Sequence, residues 1–156
     1  MKILDRSHSK PMAALHAAAF PPAEAWPEAK FADLLEWETC RAFAHVEAEA
    51  IDAMLVVQLS ADMADILTLA THPRRQRQGL ARGLIQQAEV QLHTSDTRRW
   101  TLDVAVDNHS AQSFYKSLGF TVDGRRKNYY RRPFNTRLDA LLMSCPFTRH
   151  SPSNRA

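Results

Sequence analysis

The chain has 156 residues, a formal net charge of +3 and apolar and charged fractions ordinary for a globular protein. This length suits a single domain with a substantial core, and no stretch is long and apolar enough to span a bilayer. The N-terminal residues 1–6 lack the apolar segment and cleavage site of a signal peptide, so we expect a cytoplasmic protein that does not act at a membrane.

The basic charge does not by itself indicate nucleic-acid binding. The arginines form short clusters along the chain and no stripe on one helix; these clusters are Arg74–Arg75, Arg98–Arg99, Arg125–Lys127 and Arg131–Arg132. An anionic small molecule, an acidic protein surface or a plain solvated surface explains them as well, so we expect no direct contact with nucleic acid. Cys40 and Cys145 have no metal-ligand spacing and are expected to be reduced, buried thiols.

The first part of the chain is predicted to be helical. Residues 10–20 carry apolar side chains at helical spacing, and Pro21-Pro22 ends that helix. A second helix is predicted to begin near Pro27, because proline suits the first helical turn. Strands are predicted next, at residues 40–47, 52–59 and 65–71.

The second half changes its hydrophobic period twice. Residues 78–92 carry a helical apolar stripe, and residues 100–106 alternate as a strand. A helix over 110–118 ends at Gly119, and strands over 120–129 and 138–147 close the domain. We therefore expect a single α/β domain over residues 1–147, a mixed sheet with helices, followed by a flexible tail at 148–156.

A glycine-bearing turn, residues 76–81, joins the third predicted strand to the following helix. The first N–H groups of a helix lack internal partners and lie at the positive end of its dipole, so such a turn can bind a pyrophosphate. Gly79 would let the anion approach the backbone where a side chain would block it. An ordinary strand-to-helix loop explains the glycine equally well, since neither a dinucleotide fingerprint nor a Walker loop is present.

Three segments resemble the GNAT acetyltransferase superfamily and, within it, the bacterial ribosomal-protein-alanine N-acetyltransferases. They are residues 65–82, residues 108–120 and the Arg-Arg-Lys-Asn-Tyr-Tyr segment at 125–130. The resemblance covers roughly residues 65–147. It implies a mostly antiparallel mixed sheet with helices on both faces and a splayed central strand pair, acetyl-CoA as co-substrate, and no metal.

The resemblance also implies roles for individual residues. The cofactor would be bound by the strand Leu69, Ala70 and Thr71, by the turn Arg77, Gln78, Gly79, Leu80, Ala81 and Arg82, and by Asn108. Asp103 falls at the proton acceptor and Tyr115 at the proton donor. The family has glutamate at position 103, so the shorter aspartate would lie roughly 1–1.5 Å further back, and we expect a water to bridge the difference.

Several alternatives stay open at this stage. The alternative for Asp103 is a surface carboxylate, and the alternative for Tyr115 is a core aromatic. His72 or His109 is an alternative base, although a solvated polar role suits both histidines better. The resemblance implies a protein N-terminus as acceptor, on a ribosomal protein beginning with alanine or serine. Two segments, residues 20–31 and 129–137, would wall its groove, and Trp26, Tyr129 and Tyr130 would line it.

Two other functions compete with this one. The first is acetylation of a small amine, a polyamine or an antibiotic, which the basic segments around the predicted groove disfavour. The second is a non-catalytic acyl-CoA-binding module, which the carboxylate at 103 and the hydroxyl at 115 disfavour.

Overall fold

The computed structural model describes residues 1–93 and 96–148, in which one seven-stranded sheet carries four α-helices on its two faces. Of the predicted tail, residues 149–156 lie outside the described residues. The strands are β1 (Lys2–Leu4), β2 (Cys40–Glu47), β3 (Ala50–Ser60), β4 (Met63–Thr71), β5 (Arg99–Ala105), β6 (Thr121–Arg131) and β7 (Arg137–Pro146). The helices are α1 (Ser9–Ala19), α2 (Glu28–Leu35), α3 (Leu80–Leu92) and α4 (His109–Ser117).

The strand order β1-β2-β3-β4-β5-β7-β6 gives a sheet whose pairs are antiparallel except β4 with β5. This confirms the predicted mixed, mostly antiparallel α/β fold. Strand β1 was not predicted, because three residues are too few to show alternation; Ile3 pairs with Phe43 of β2. Within the described chain, no helix is both long and apolar enough to cross a bilayer.

Strand alternation divides the apolar side chains between two cores. Helices α3 and α4 pack on one face of the sheet, where Leu84 and Tyr115 meet Trp100, Leu102 and other strand residues. Helices α1 and α2 pack on the opposite face, where Met12 and Phe31 are fully buried. We call these the α3/α4 face and the α1/α2 face.

Strands β4 and β5 separate soon after they meet, as predicted for the central pair. Their parallel pairing covers only Met63–Asp65 of β4. Beyond it, β4 has a bulge: Thr68 pairs with Val56 and Ile66 with Val57, so Leu67 is an extra residue. The bulge shifts the alternation, and both Leu67 and Thr68 are directed to the α1/α2 face.

His16 on α1 is a core histidine whose two ring nitrogens are both used. Nδ1 accepts a hydrogen bond from the Trp26 N–H at 3.1 Å, so Nε2 carries the proton and donates to Thr68 Oγ1 at 3.1 Å. The ring stacks on Phe20 at 4.2 Å between centroids. Burial, followed by the charge of Lys30, lowers the pKa of His16 to about 4.

The buried His16 is expected to make stability fall as the pH drops below neutrality. His16 takes up a proton near pH ~6.5 in the unfolded chain but only at about pH 4 in the folded chain. The free energy of unfolding should therefore decrease by on the order of 1 kcal/mol between pH 6.5 and 5. Denaturant titrations at both values measure it, and His16→Gln should show a smaller decrease; an equal decrease in both proteins would remove His16 from the effect.

Candidate active site

The turn between β4 and α3 exposes backbone N–H groups in the way the sequence predicts. A short 3-10 turn, Pro73–Arg75, leads into Gln76, and Gly79 is the N-cap of α3. The Gly83 N–H donates to the Gly79 carbonyl at 2.9 Å, so this is the first hydrogen bond of the helix. The N–H groups of Leu80 to Arg82 precede it and have no partner within the helix.

Gly79 is required here by its backbone conformation. Its φ is +79°, in the left-handed region that favours glycine. A Cβ atom at this position would meet no protein atom within 4 Å, so crowding by neighbouring protein atoms is not the reason for a glycine here. Arg77 also has a positive φ, +63°, two residues earlier, so the turn concentrates backbone strain at the predicted anion site.

Replacing Gly79 by alanine is expected to lower stability by about 1 kcal/mol, because Cβ is strained at this φ. We also expect weaker binding of acetyl-CoA. Gly83→Ala is the matched control, since Gly83 lies in helical backbone with the same open surroundings and should become more stable by about 0.5–1 kcal/mol. Thermal melting and calorimetric titration measure both; equal shifts of the two variants would contradict the argument.

A cavity of about 860 Å³ extends from this turn along α4 to the separated end of β4. It lies on the α3/α4 face. Of the predicted site residues, its lining includes Leu69, Thr71, Arg77, Gly79, Leu80, Ala81, Arg82, Asn108 and Tyr115. The cavity therefore brings the predicted cofactor residues together in one place.

Two of the predicted cofactor residues do not line this cavity. Ala70 is buried in the core of the α1/α2 face, so only its backbone is near. The Gln78 side chain donates to the Arg74 carbonyl at 3.3 Å and stabilises the turn. Asn108, which lines the cavity, caps α4 by accepting from the Ala111 N–H at 3.1 Å.

The separation of β5 leaves one backbone edge of β4 free. The His72 N–H donates to the Asp52 carbonyl of β3 at 2.8 Å. Because alternate residues of an antiparallel strand face the same neighbour, the N–H groups of Leu69 and Thr71 point away from β3. The Thr71 carbonyl also points away from β3, since it accepts a hydrogen bond from the Gln76 side chain at 3.3 Å. This edge offers N–H donors at the end of the cavity.

Tyr115 is a core aromatic that also lines the cavity. Its ring packs at 5.2 Å from both Phe114 and Phe120, and the residue lines the cavity. Burial, with a smaller contribution from Tyr130, raises the pKa of the Tyr115 hydroxyl. This hydroxyl therefore keeps its proton at neutral pH.

Asp103 lies on the opposite face of the sheet from the cavity. Leu102 and Val104 enter the core of the α3/α4 face, so Asp103 between them faces α1 and α2. Its side chain is 15 % exposed. Burial raises the pKa of Asp103; Arg126, at 3.0 Å, lowers it in part, and Asp65 raises it.

Tyr130 connects Asp103 with the β6–β7 hairpin. Its hydroxyl donates to the Asp103 carbonyl at 3.0 Å, and burial and the Asp103 charge raise the pKa of Tyr130 to about 12. A bulge between Arg126 and Tyr130 turns the ring inward. Asp139 holds that bulge, because its carboxylate accepts from the Asn128 N–H at 2.9 Å.

The two segments predicted to wall the acceptor groove are in contact. Arg132 of the hairpin pairs with Glu24 of the α1–α2 loop and lies 3.3 Å from Asp107. Trp26 of that loop stacks on His16 at 5.1 Å. The prediction of a basic groove is therefore wrong at Arg132, because two carboxylates offset its charge.

The histidines suggested as alternative bases have other surroundings. His72 caps the short turn by accepting from the Arg74 N–H at 3.3 Å, and His109 is exposed at the start of α4. Among the described residues, no cluster of three His, Cys, Asp or Glu side chains is placed to hold a metal ion.

Sequence reasoning missed part of the cavity wall and one partner of Asp103. One face of α4 lines the cavity through Ser110, Ser113, Phe114 and Ser117, a helical spacing visible in the sequence. Arg82 donates to the Ser117 hydroxyl at 2.9 Å and joins the two helices. Arg126 has no sequence signal, since it meets Asp103 only across β7.

The residues present fit acetyl-CoA. The unpartnered N–H groups at the start of α3, with Arg77 and Arg82, suit its pyrophosphate, and the long cavity suits its arm. The free edge of β4, at the opposite end, suits a thioester carbonyl.

Comparison with known proteins agrees with this geometry. Residues 10–120 match the family described as "Acetyltransferase (GNAT) family". The chain is 32% identical over 132 residues to the [Ribosomal protein bS18]-alanine N-acetyltransferase of Escherichia coli strain K12, covering 85% of each chain. It superposes on the crystal structure of the ribosomal-protein-S18-alanine N-acetyltransferase from Escherichia coli with a TM-score of 0.82 and 27% identity, over 99% of this chain and 98% of that one. Arabidopsis thaliana NAA60, solved in complex with acetyl-CoA, has the same fold at a TM-score of 0.77 and 16% identity, over 93% and 96% of the two chains.

Proposed function

The chain belongs to the GNAT acetyltransferase family, and we propose that it acetylates the N-terminal α-amino group of a ribosomal protein whose first residue is alanine or serine. The relatives named for ribosomal protein bS18 make that protein the first candidate acceptor. This places the reaction in the cytoplasm, where such acceptors are made.

One observation carries the proposal: β4 and β5 pair over three residues and then separate. The cavity reaches this gap from the α3/α4 face, and Asp103 lies beside it on the α1/α2 face. Donor and acceptor would therefore approach from opposite faces and meet between the strands. Direct attack within such a ternary complex needs no covalent enzyme intermediate.

Asp103 is proposed to solve the first proton problem of the reaction. An α-amino group is mostly an ammonium at neutral pH, since it titrates near pH ~8, and it must lose a proton before it attacks. The buried carboxylate, whose pKa is raised, accepts this proton through a bridging water. The hydrogen bond from the Tyr130 hydroxyl to the Asp103 backbone carbonyl keeps this part of β5 against the β6–β7 hairpin.

The cavity side is proposed to stabilise the acetyl group and its leaving group. Acetyl-CoA supplies the thioester carbonyl carbon that the amine attacks. The N–H groups of Leu69 and Thr71 donate hydrogen bonds to the carbonyl oxygen. As the C–N bond forms and the C–S bond breaks, Tyr115 donates its hydroxyl proton to the departing sulfur, and the proton that the nitrogen loses on becoming an amide is returned to Tyr115 by way of solvent. The turn Arg77–Arg82 and Asn108 hold the rest of the molecule.

The acceptor groove is proposed to run between the α1–α2 loop and the β6–β7 hairpin. The Glu24–Arg132 pair joins these segments, and Trp26, Tyr129 and Tyr130 provide aromatic surface and hydroxyls for a peptide backbone. The carboxylate of Asp103 suits a positively charged N-terminus.

The test is acetylation of short peptides that differ only at the first residue, read by mass. Peptides beginning with alanine or serine should gain one acetyl group from acetyl-CoA. The same alanine peptide with a blocked α-amine and an internal lysine should gain none. Acetylation of free spermidine, with none of the alanine or serine peptides, would assign the enzyme to small amines and overturn the proposal.

A further inference from the structure

An arginine without a part in the proposed mechanism lies against the carboxylate that serves as base. Arg126 on β6 reaches across β7 toward Asp103 on β5. The contact is diagonal, because Arg126 pairs with Ala140 of β7 and Asp103 pairs with Leu142 of the same strand. The distance from Arg126 Nε to Asp103 Oδ1 is 3.0 Å. A cation therefore already lies where the proposed function requires an ammonium.

The two partners are buried to very different extents. The Asp103 side chain is 15 % exposed and the Arg126 side chain is 53 % exposed. Oδ1 of Asp103 is buried and accepts no well-directed hydrogen bond, so the contact is a plain ion pair. An ion pair with one half-exposed partner is weak and breaks at low cost.

Arg126 also contacts an aromatic ring while it pairs with Asp103. Its guanidinium carbon lies 5.5 Å from the centroid of the half-exposed Tyr129 ring. This cation–π contact does not involve the carboxylate, so Arg126 keeps a partner on its own strand when the Asp103 contact is lost. Because half of the Arg126 side chain is exposed, water solvates the guanidinium once it leaves the carboxylate.

The other groups facing Asp103 supply no positive charge. Asp65 on β4 is a carboxylate, held by the Thr101 hydroxyl at 2.7 Å. Tyr129 and Tyr130 on β6 present hydroxyl groups, and burial and the Asp103 charge raise the pKa of Tyr130 to about 12, so Tyr130 is uncharged at physiological pH. In residues 1–93 and 96–148, Arg126 is the cation that pairs with Asp103.

We propose that Arg126 is a displaceable counter-ion: it holds Asp103 while no acceptor is bound and yields this place to the ammonium of the acceptor. The inference rests on the proposed function. Because the amine must compete with Arg126, this residue sets the affinity for the acceptor, whose apparent KM rises with the fraction of enzyme in which the pair is formed. Arg126 acts through Asp103 and is a positioning residue.

The test compares Arg126→Gln with Lys127→Gln, which removes the same charge from the neighbouring residue. For an alanine-starting peptide, Arg126→Gln should lower KM about threefold, the effect of removing a weak competing ion pair, with kcat within about twofold of wild type. On the acidic side of the pH profile, kcat/KM of Arg126→Gln should begin to decline at a higher pH than kcat/KM of wild type. The reason is that Asp103 loses the neighbour that lowers its pKa. Arg126→Lys, which keeps the charge, should lie closer to wild type in both properties.

The outcomes separate this inference from the proposed function. If wild type and Lys127→Gln acetylate the peptide but Arg126→Gln has an unchanged or higher KM, the inference alone is wrong. An equal KM decrease in Lys127→Gln also overturns it, because the effect is then one of general charge. If wild type does not acetylate the peptide, the proposed function is wrong and the inference fails with it.

Discussion

Asp103→Asn is expected to lower kcat/KM for an alanine-starting peptide by about 10²-fold or more, within the usual range for loss of a general base. The amide has nearly the same shape and cannot accept the proton of the ammonium. Steady-state rates with saturating acetyl-CoA measure the effect.

The pH profile gives a second reading of the same substitution. The base acts only when deprotonated, so wild-type kcat/KM should decline as the pH falls through the pKa of Asp103, which burial raises. Asp103→Asn should lack that decline. Asp123→Asn, an exposed carboxylate on β6, is the charge-matched control and should behave as wild type. Full activity of Asp103→Asn would exclude Asp103 as the base.

Asp103→Glu tests the departure from the family pattern. Glutamate places the carboxylate roughly 1–1.5 Å further forward, where the related enzymes are expected to have it. We expect this variant to keep activity within about tenfold of wild type, since general-base function survives small changes of reach when water mediates the transfer. Activity as low as that of Asp103→Asn would show that the shorter side chain is required in this chain.

Tyr115→Phe is expected to lower kcat by about tenfold or more, at the low end of general-acid contributions. The ring contacts with Phe114 and Phe120 remain, so the melting temperature should change little. The Tyr115 hydroxyl has no hydrogen-bond partner among the described residues, so its removal leaves no protein group unpaired. A KM for acetyl-CoA within about twofold of wild type would assign the loss to chemistry and not to binding. Unchanged kcat would remove Tyr115 from the mechanism.

The prediction was most successful where a local pattern is enough. Within residues 1–93 and 96–148, the period of apolar residues and the helix-boundary residues located every α-helix and all the strands except the three-residue β1. The turn at Gly79 was identified because its chemistry depends on consecutive residues: a glycine able to take a positive φ, followed by free N–H groups. The reason given for Gly79 was incomplete, since the observed requirement is conformational.

The prediction was least successful where distant residues meet. The pairing of Arg132 with Glu24 changed the expected charge of the groove, and no spacing in the sequence relates residues so far apart. Arg126 and Asp103 meet across an intervening strand, whose register depends on the bulge near Asn128. The roles of individual site residues remain predictions, and the substitutions above test them.

The sequence by itself determined the α/β class, the order of the elements after β1 and the position of the glycine turn before α3, because these follow from periodicity and from backbone chemistry over a few residues. Only the tertiary structure decided how the two halves of the site come together. The bulge at Leu67 and the short pairing of β4 with β5 open the gap between the strands. Strand alternation directs Asp103 to the α1/α2 face, whereas the packing of α4 places Tyr115 on the α3/α4 face. Such positions depend on register and on packing between remote segments, which a local pattern does not contain.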